Sequence, residues 1–140
     1  MRNKLIEGGY FLPLIFALII TILFGAYATA QTPQQVQKYL DSIGVQHSDI
    51  VTKQAKLETG NFNCQNCSMD HNNLFGFQLS GKYLHFDTWK ESCEYYQRWQ
   101  KRHYKGQNYY DFLNCIWQHR DGRCAKYATD PKYIDKLQAI

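Results

Sequence analysis

Glu58 carries the clearest chemical signal in this chain. It lies in the run Ala55-Lys56-Leu57-Glu58-Thr59-Gly60, which reads as the end of a helix. At about 100° per residue, Ile50, Val51, Ala55 and Leu57 fall on one arc, and Glu58 falls inside it. A carboxylate on an apolar helix face is costly to ionise. Such a group is neutralised, paired with a buried cation, turned to solvent at the helix end, or used. A carboxyl pKa raised by burial is what a general acid needs near neutral pH.

The cysteines are the second reactive set: Cys64, Cys67, Cys93, Cys115 and Cys124. Cys64 and Cys67 form a C-x-x-C, a spacing that serves zinc, redox exchange or a short disulfide. There is no second C-x-x-C, and no strand-turn-helix pattern precedes the first. In an exported chain the oxidising compartment favours disulfides. Two are expected, with Cys115 and Cys124 as a natural local pair. Spacing does not fix the connectivity, and an odd count leaves one thiol over. No metal site and no cofactor is expected.

The expectation of export comes from the first thirty residues. Arg2 and Lys4 precede an apolar run from Phe11 to Phe24, and Ala28-Thr29-Ala30 follows. A basic start, an apolar stretch and an A-x-A site describe a secretory signal peptide over residues 1–30. The rival is a membrane anchor. The apolar run is short for a span and is interrupted by Pro13, which favours cleavage after Ala30 and no stable span afterwards. The remaining residues 31–140 then form one small domain, periplasmic or secreted and expected to be monomeric.

The formal net charge is +4, of which Arg2, Lys4 and Glu7 contribute +1, leaving +3 for residues 31–140. That excess suits anionic polymers such as cell-wall glycans through long-range steering and is too small to argue for nucleic acid. The densest basic cluster, Arg98, Lys101, Arg102, His103 and Lys105, reads as the solvated end of a helix, where cations suit the dipole. Aromatic residues make up 16 % of the chain and tyrosine leads them. Most are needed for the core, and the rest would suit a groove for polar rings with flat faces.

The elements that must position these groups are mostly helical. Thr32-Pro33-Gln34-Gln35 has the form of a capping box, with the helix running to about Ser42 and stopping before Gly44. His47-Ser48-Asp49 opens the helix that carries Glu58. Asn61 to Asn73 reads as a loop stapled by its own thiols. Leu74 to Phe77 and Tyr83 to Phe86, around Ser80-Gly81-Lys82, predict one short β-hairpin. Thr88-Trp89-Lys90-Glu91 predicts a second capping box, which gives Glu91 a structural task. The helix after it puts Trp89, Cys93, Tyr96, Trp99 and His103 on a core stripe. A further helix is predicted over Tyr109 to His119, with Phe112, Leu113, Ile116 and Trp117 inward. Arg120 to Tyr127 is read as irregular. Asp130-Pro131 opens a last helix, with Tyr133, Leu137 and Ile140 on its apolar side. The fold expected is mainly α, a small two-lobed helical domain with one hairpin.

Four segments in order resemble the bacterial glucosaminidase domain, glycoside hydrolase family 73: Ala55 to Phe62, Asn72-Asn73-Leu74-Phe75-Gly76-Phe77, Phe86 to Ser92, and Tyr127-Ala128-Thr129-Asp130-Pro131 with Tyr133. They spread over nearly all of residues 31–140. The resemblance implies a lysozyme-like fold and an enzyme that cuts N-acetylglucosaminyl bonds in peptidoglycan glycan strands. By position it makes Glu58 the general acid. Tyr127 matches a tyrosine beside that acid, there to orient it or to meet the sugar's acetamido group. Asn73, Phe75 and Phe77 match the wall of the substrate groove, whereas Asn72 and Gly76 match the turn into the hairpin.

Glycosidases usually use two carboxyl groups, and the segment from Leu74 to Phe86 contains no acid. Asp70 is the candidate second carboxylate, since Asp87 reads as part of a helix start. Without one, the 2-acetamido group of the substrate can support the reacting carbon, a recognised exception to the two-carboxylate rule. A single carboxylate with a water on the far side of the sugar is another route. A glycan-binding module that has lost the chemistry is the alternative of a different class.

Overall fold

Five α-helices and two small antiparallel strand pairs build the described part of this computed structural model, residues 31–140. The expected leader and its cleavage site lie outside the described residues. Among the described residues no helix is long and apolar enough to cross a membrane.

Helix α1, Pro33–Ser42, begins as its capping box dictates. Thr32 Oγ1 accepts from Gln35 N at 3.2 Å, and Gln35 Oε1 accepts from Thr32 N at 2.9 Å. Helix α2, Ser48–Glu58, starts differently. His47 has a left-handed φ of 54° and gives no side-chain cap. Its ring meets the Tyr104 hydroxyl at 2.9 Å instead. The buried face of α2 is more polar than its apolar arc implied. Val51 and Ala55 are buried, but so are Thr52 and Gln54, while Ile50 and Leu57 are half-buried.

The chain leaves α2 abruptly. Thr59 is buried, donates its hydroxyl to Ala55 O at 2.6 Å and accepts from Phe62 N at 3.0 Å. Gly60, Asn61 and Phe62 all have positive φ, which turns the chain away from the helix axis. The Cys64–Cys67 disulfide closes the next turn. The segment expected to be loop throughout then contains a short 3-10 helix, Ser68–His71.

The predicted hairpin forms with shorter and shifted strands: β1, Gln78–Leu79, and β2, Lys82–Tyr83, joined by Ser80-Gly81 with φ of 51° and 78°. Two successive positive φ values are what a tight type I′ turn needs. Leu74 and Phe75 do not extend the strand but enter the core. Gly76 at φ 66° breaks the extended path. The Asn73 side chain substitutes for the ladder. Its amide donates to Phe77 O at 2.8 Å and Leu84 O at 3.0 Å, and its Oδ1 accepts from Phe77 N at 3.0 Å.

Helix α3, Trp89–His103, is capped by the Thr88 side chain, and Glu91 reaches back to Asp87 N at 3.0 Å. Cys93 and Tyr96 sit at the centre of its predicted stripe and are buried, whereas Trp89, Trp99 and His103 are half-buried. Helix α4, Tyr109–Asn114, is shorter than the predicted Tyr109 to His119. The chain after it forms an unpredicted second hairpin, β3, Trp117–Gln118, with β4, Cys124–Ala125. The Cys115–Cys124 disulfide pulls the chain out of the helix, and Ile116 N donates to Ala125 O at 2.8 Å. Trp117, expected inward on a helix, is therefore exposed. The Asp121-Gly122 dipeptide, with Gly122 at φ 84°, was the available hairpin signal.

Helix α5, Tyr133–Gln138, starts after the Asp130-Pro131 turn rather than within it. Asp130 still caps that turn through Lys132 N at 2.9 Å. Tyr133 and Leu137 are buried as expected, but Ile140 is exposed. The core gathers Val36, Leu40, Val51, Leu74, Phe75, Phe112 and Leu137. A buried polar chain runs through it. Tyr96 donates to Gln54 Oε1 at 2.6 Å and meets the Tyr109 hydroxyl at 2.7 Å, which in turn accepts from Gln100 Nε2 at 2.8 Å. Buried polar groups of this kind are tolerated because each finds a partner.

Candidate active site

Glu58 is the last residue of α2, and its carboxyl opens into a groove of about 480 Å³. The groove lies between the Phe75–Gln78 segment on one side and Ile116, Trp117 and the Tyr127–Thr129 segment on the other, with Trp99 between them. Among the described residues that line it, Glu58 is the only carboxylate. Burial pushes the Glu58 pKa above the ordinary carboxyl value, and a hydrogen bond with the Tyr133 hydroxyl pulls it partly back. A carboxyl in that state can hold a proton at higher pH than an exposed glutamate and release it to a basic atom in the groove.

Three residues shape the surroundings of this carboxyl. The first is Gly76. A Cβ there would stand 2.7 Å from Glu58 Oε2, so a side chain at this position would push the carboxyl aside, and the φ of 66° also favours glycine. The second is Tyr133, whose hydroxyl is held protonated by burial and by the neighbouring Glu58 charge. Gln54 Nε2 lies 3.5 Å from the Tyr133 oxygen as donor. That oxygen accepts from Gln54, which leaves the hydroxyl proton free to face Glu58. The third acts through the loop. Tyr127 donates its hydroxyl to Phe75 O at 2.7 Å, and Phe75 precedes Gly76. Tyr127 was expected to orient Glu58 or to contact the sugar's acetamido group. That hydroxyl is committed to the backbone, and Tyr127 offers the groove its ring, packed against Trp99 at 5.6 Å and Tyr133 at 5.7 Å.

The other predicted site residues separate. Phe75 and Phe77 both border the groove, Phe75 almost wholly buried and Phe77 half-buried. Asn73 does not. It is fully buried and spends its amide on Phe77 and Leu84, so it supports the groove from beneath rather than forming its wall. Asp70 is exposed on the 3-10 helix and does not line the groove. Asp87 is exposed, with its backbone tied to Glu91.

Sequence reasoning missed Tyr133 as the neighbour of Glu58, because helical spacing made it a plain core residue. It also missed Trp99 and Trp117 as groove residues, having assigned both to the core. The cysteines pair as Cys64–Cys67 and Cys115–Cys124, and Cys93 is a buried thiol that burial pushes up to about 12. Among the described residues no three His, Cys, Asp or Glu side chains are gathered as for a metal ion.

The family model described as mannosyl-glycoprotein endo-beta-N-acetylglucosaminidase matches residues 33–140. The chain belongs to the glucosaminidase family. Searches of curated proteins and of solved structures return no match. The glucosaminidase match spans every element described above, from α1 to α5, and with it the whole groove. A glucosaminidase domain is a glycoside-hydrolase-type domain that takes a glycan as ligand, and its mostly helical architecture with small strand pairs fits a lysozyme-like layout.

Proposed function

We propose that this glucosaminidase domain is an exported peptidoglycan hydrolase that cleaves β-1,4 N-acetylglucosaminyl bonds, with Glu58 as general acid. The observation that supports this most directly is Glu58 itself, a partly desolvated carboxyl with a raised pKa in a groove walled by aromatic rings. The protonated carboxyl gives its proton to the glycosidic oxygen as the bond from that oxygen to the sugar C1 breaks. Among the described residues the groove has no second carboxylate, and in this reading the substrate's own 2-acetamido oxygen attacks C1 and forms a bicyclic oxazolinium intermediate. Water then adds to C1, the acetamido group is restored, and the Glu58 carboxylate takes the proton lost by the water. Two disulfides in a small domain suit a periplasmic or secreted location.

The missing second carboxylate also favours one rival, a glycan-binding module without hydrolytic activity. Purified sacculi incubated with residues 31–140, and in parallel with Glu58→Gln, separate the two. Soluble fragments ending in reducing N-acetylglucosamine, absent with the variant, are expected. Full fragment release by Glu58→Gln would remove Glu58 from the mechanism. Binding without release by both proteins would leave the module reading.

A further inference from the structure

The groove contains an exposed tryptophan that acid catalysis at Glu58 does not use. Trp117 borders the same groove as Glu58, yet it is 49 % exposed, whereas Trp89 and Trp99 are half-buried in the packing around the core. A large apolar face left open to water loses the stabilisation that burial would give it. Nothing in the core needs Trp117 where it stands.

The side chain is nevertheless well held. It sits on β3, paired with Ala125 of β4, and the Cys115–Cys124 disulfide closes the base of that hairpin. Ile116 N donates to Ala125 O at 2.8 Å and His119 N donates to Arg123 O at 2.8 Å, so hydrogen bonds flank the tryptophan on both sides. The His103 ring, from the last turn of α3, lies 5.6 Å from the Trp117 ring at an angle of 33°. His119 approaches at 6.3 Å. A ring fixed in advance loses little conformational freedom when a ligand covers it.

The chemistry of that ring selects the ligand. An indole presents a flat, electron-rich apolar face. A pyranose in a β-linked chain presents C–H groups on its faces and polar groups around its rim. Face-to-face contact buries apolar area on both partners and leaves the rim free for polar groups, of which Gln78 and Thr129 are available in the same groove. We propose that Trp117 forms a separate sugar subsite, stacking on an N-acetylhexosamine ring next to those held at Glu58, and that the disulfide-closed hairpin serves to present it. The inference rests on the glycan reading of the groove and adds a residue and an element that bind without taking part in bond cleavage.

Calorimetric titration with peptide-free glycan oligomers of about six sugars, stripped of peptide by an amidase and shortened by a muramidase, tests it. The Glu58→Gln protein keeps the ligand intact. Its Trp117→Ala derivative is expected to bind about tenfold more weakly, a loss of about 1.4 kcal/mol, because the indole face no longer buries apolar area on the sugar. The Trp117→Phe derivative, which keeps a flat ring, should recover most of that loss. Equal affinity for the alanine derivative and its parent would overturn the subsite while leaving the role of Glu58 standing. If wild type and Glu58→Gln both fail to bind the strands, the glycan reading falls and the subsite with it.

Discussion

Glu58 and its neighbours make a balanced acid. Burial raises its pKa and the Tyr133 hydroxyl lowers it, so the proton is held without being locked in place. Tyr133→Phe removes the hydroxyl that stabilises the charged form, and the Glu58 pKa rises further. A general acid is active while protonated, so the alkaline limb of the kcat/KM profile should move to higher pH in this variant. A profile displaced to lower pH, or not displaced, would contradict this arrangement. Gly76 is the second sensitive position. Gly76→Ala puts a methyl group 2.7 Å from Glu58 Oε2 and forces an L residue to φ 66°. The left-handed conformation alone costs about 1 kcal/mol. The displaced carboxyl should lower kcat by far more than the loss of stability accounts for, which comparing turnover with melting temperature will show.

The two hairpins frame the groove, yet each has strands of only two residues. Such short strands are marginal alone, and each is reinforced from outside its ladder. Asn73 ties the first hairpin to the core with three hydrogen bonds, and the Cys115–Cys124 disulfide closes the second. Asn73→Ala takes the side-chain partner from the part-buried Phe77 N and Leu84 O, while Phe77 O keeps Leu84 N, and should destabilise the domain by about 2 kcal/mol in urea unfolding. A loss below about 0.5 kcal/mol would mean that water replaces the amide. This tie bears on the site, since Phe77 and Gln78 enter the groove wall shortly after Asn73 has fixed the chain.

For the entire chain, the raised carboxyl pKa has a thermodynamic consequence. A carboxyl whose folded pKa exceeds its unfolded value binds protons more tightly when folded. Its contribution to stability is therefore fully present below the ordinary value of 4.5 and falls as pH rises through the raised folded value. Glu58→Gln removes that pH-dependent cost. The variant should be more stable than the wild type at neutral pH, and the difference should shrink towards pH 4, as thermal unfolding across pH will test. A gain in stability paired with a loss of activity is expected where a group is held for chemistry rather than for folding.

Local chemistry was readable in the residues alone. Thr32 with Gln35 and Thr88 with Glu91 start helices because their partners lie within one turn. Glu58 stands at a helix end because Thr59 and Gly60 stop the helix. Cys115 and Cys124 were a natural local pair in the sequence, and the β3–β4 hairpin brings their Cα atoms to 4.8 Å. The surroundings of Glu58 were not readable in the same way. Tyr133 from α5 and Gly76 from the loop before β1 reach the Glu58 carboxyl, and Trp117 from β3 reaches its groove, from distant parts of the chain that no spacing rule connects. Strands of two residues are too short to show an alternating pattern, so the second hairpin was read as helix and the Trp117 ring as core. Asn73 was read as groove wall because an exposed amide and a buried one look alike until the backbone carbonyls around them are placed. Periodicity reports which face of an element is apolar. Which faces meet, and which side chain is left in the open between them, follows from how the elements pack.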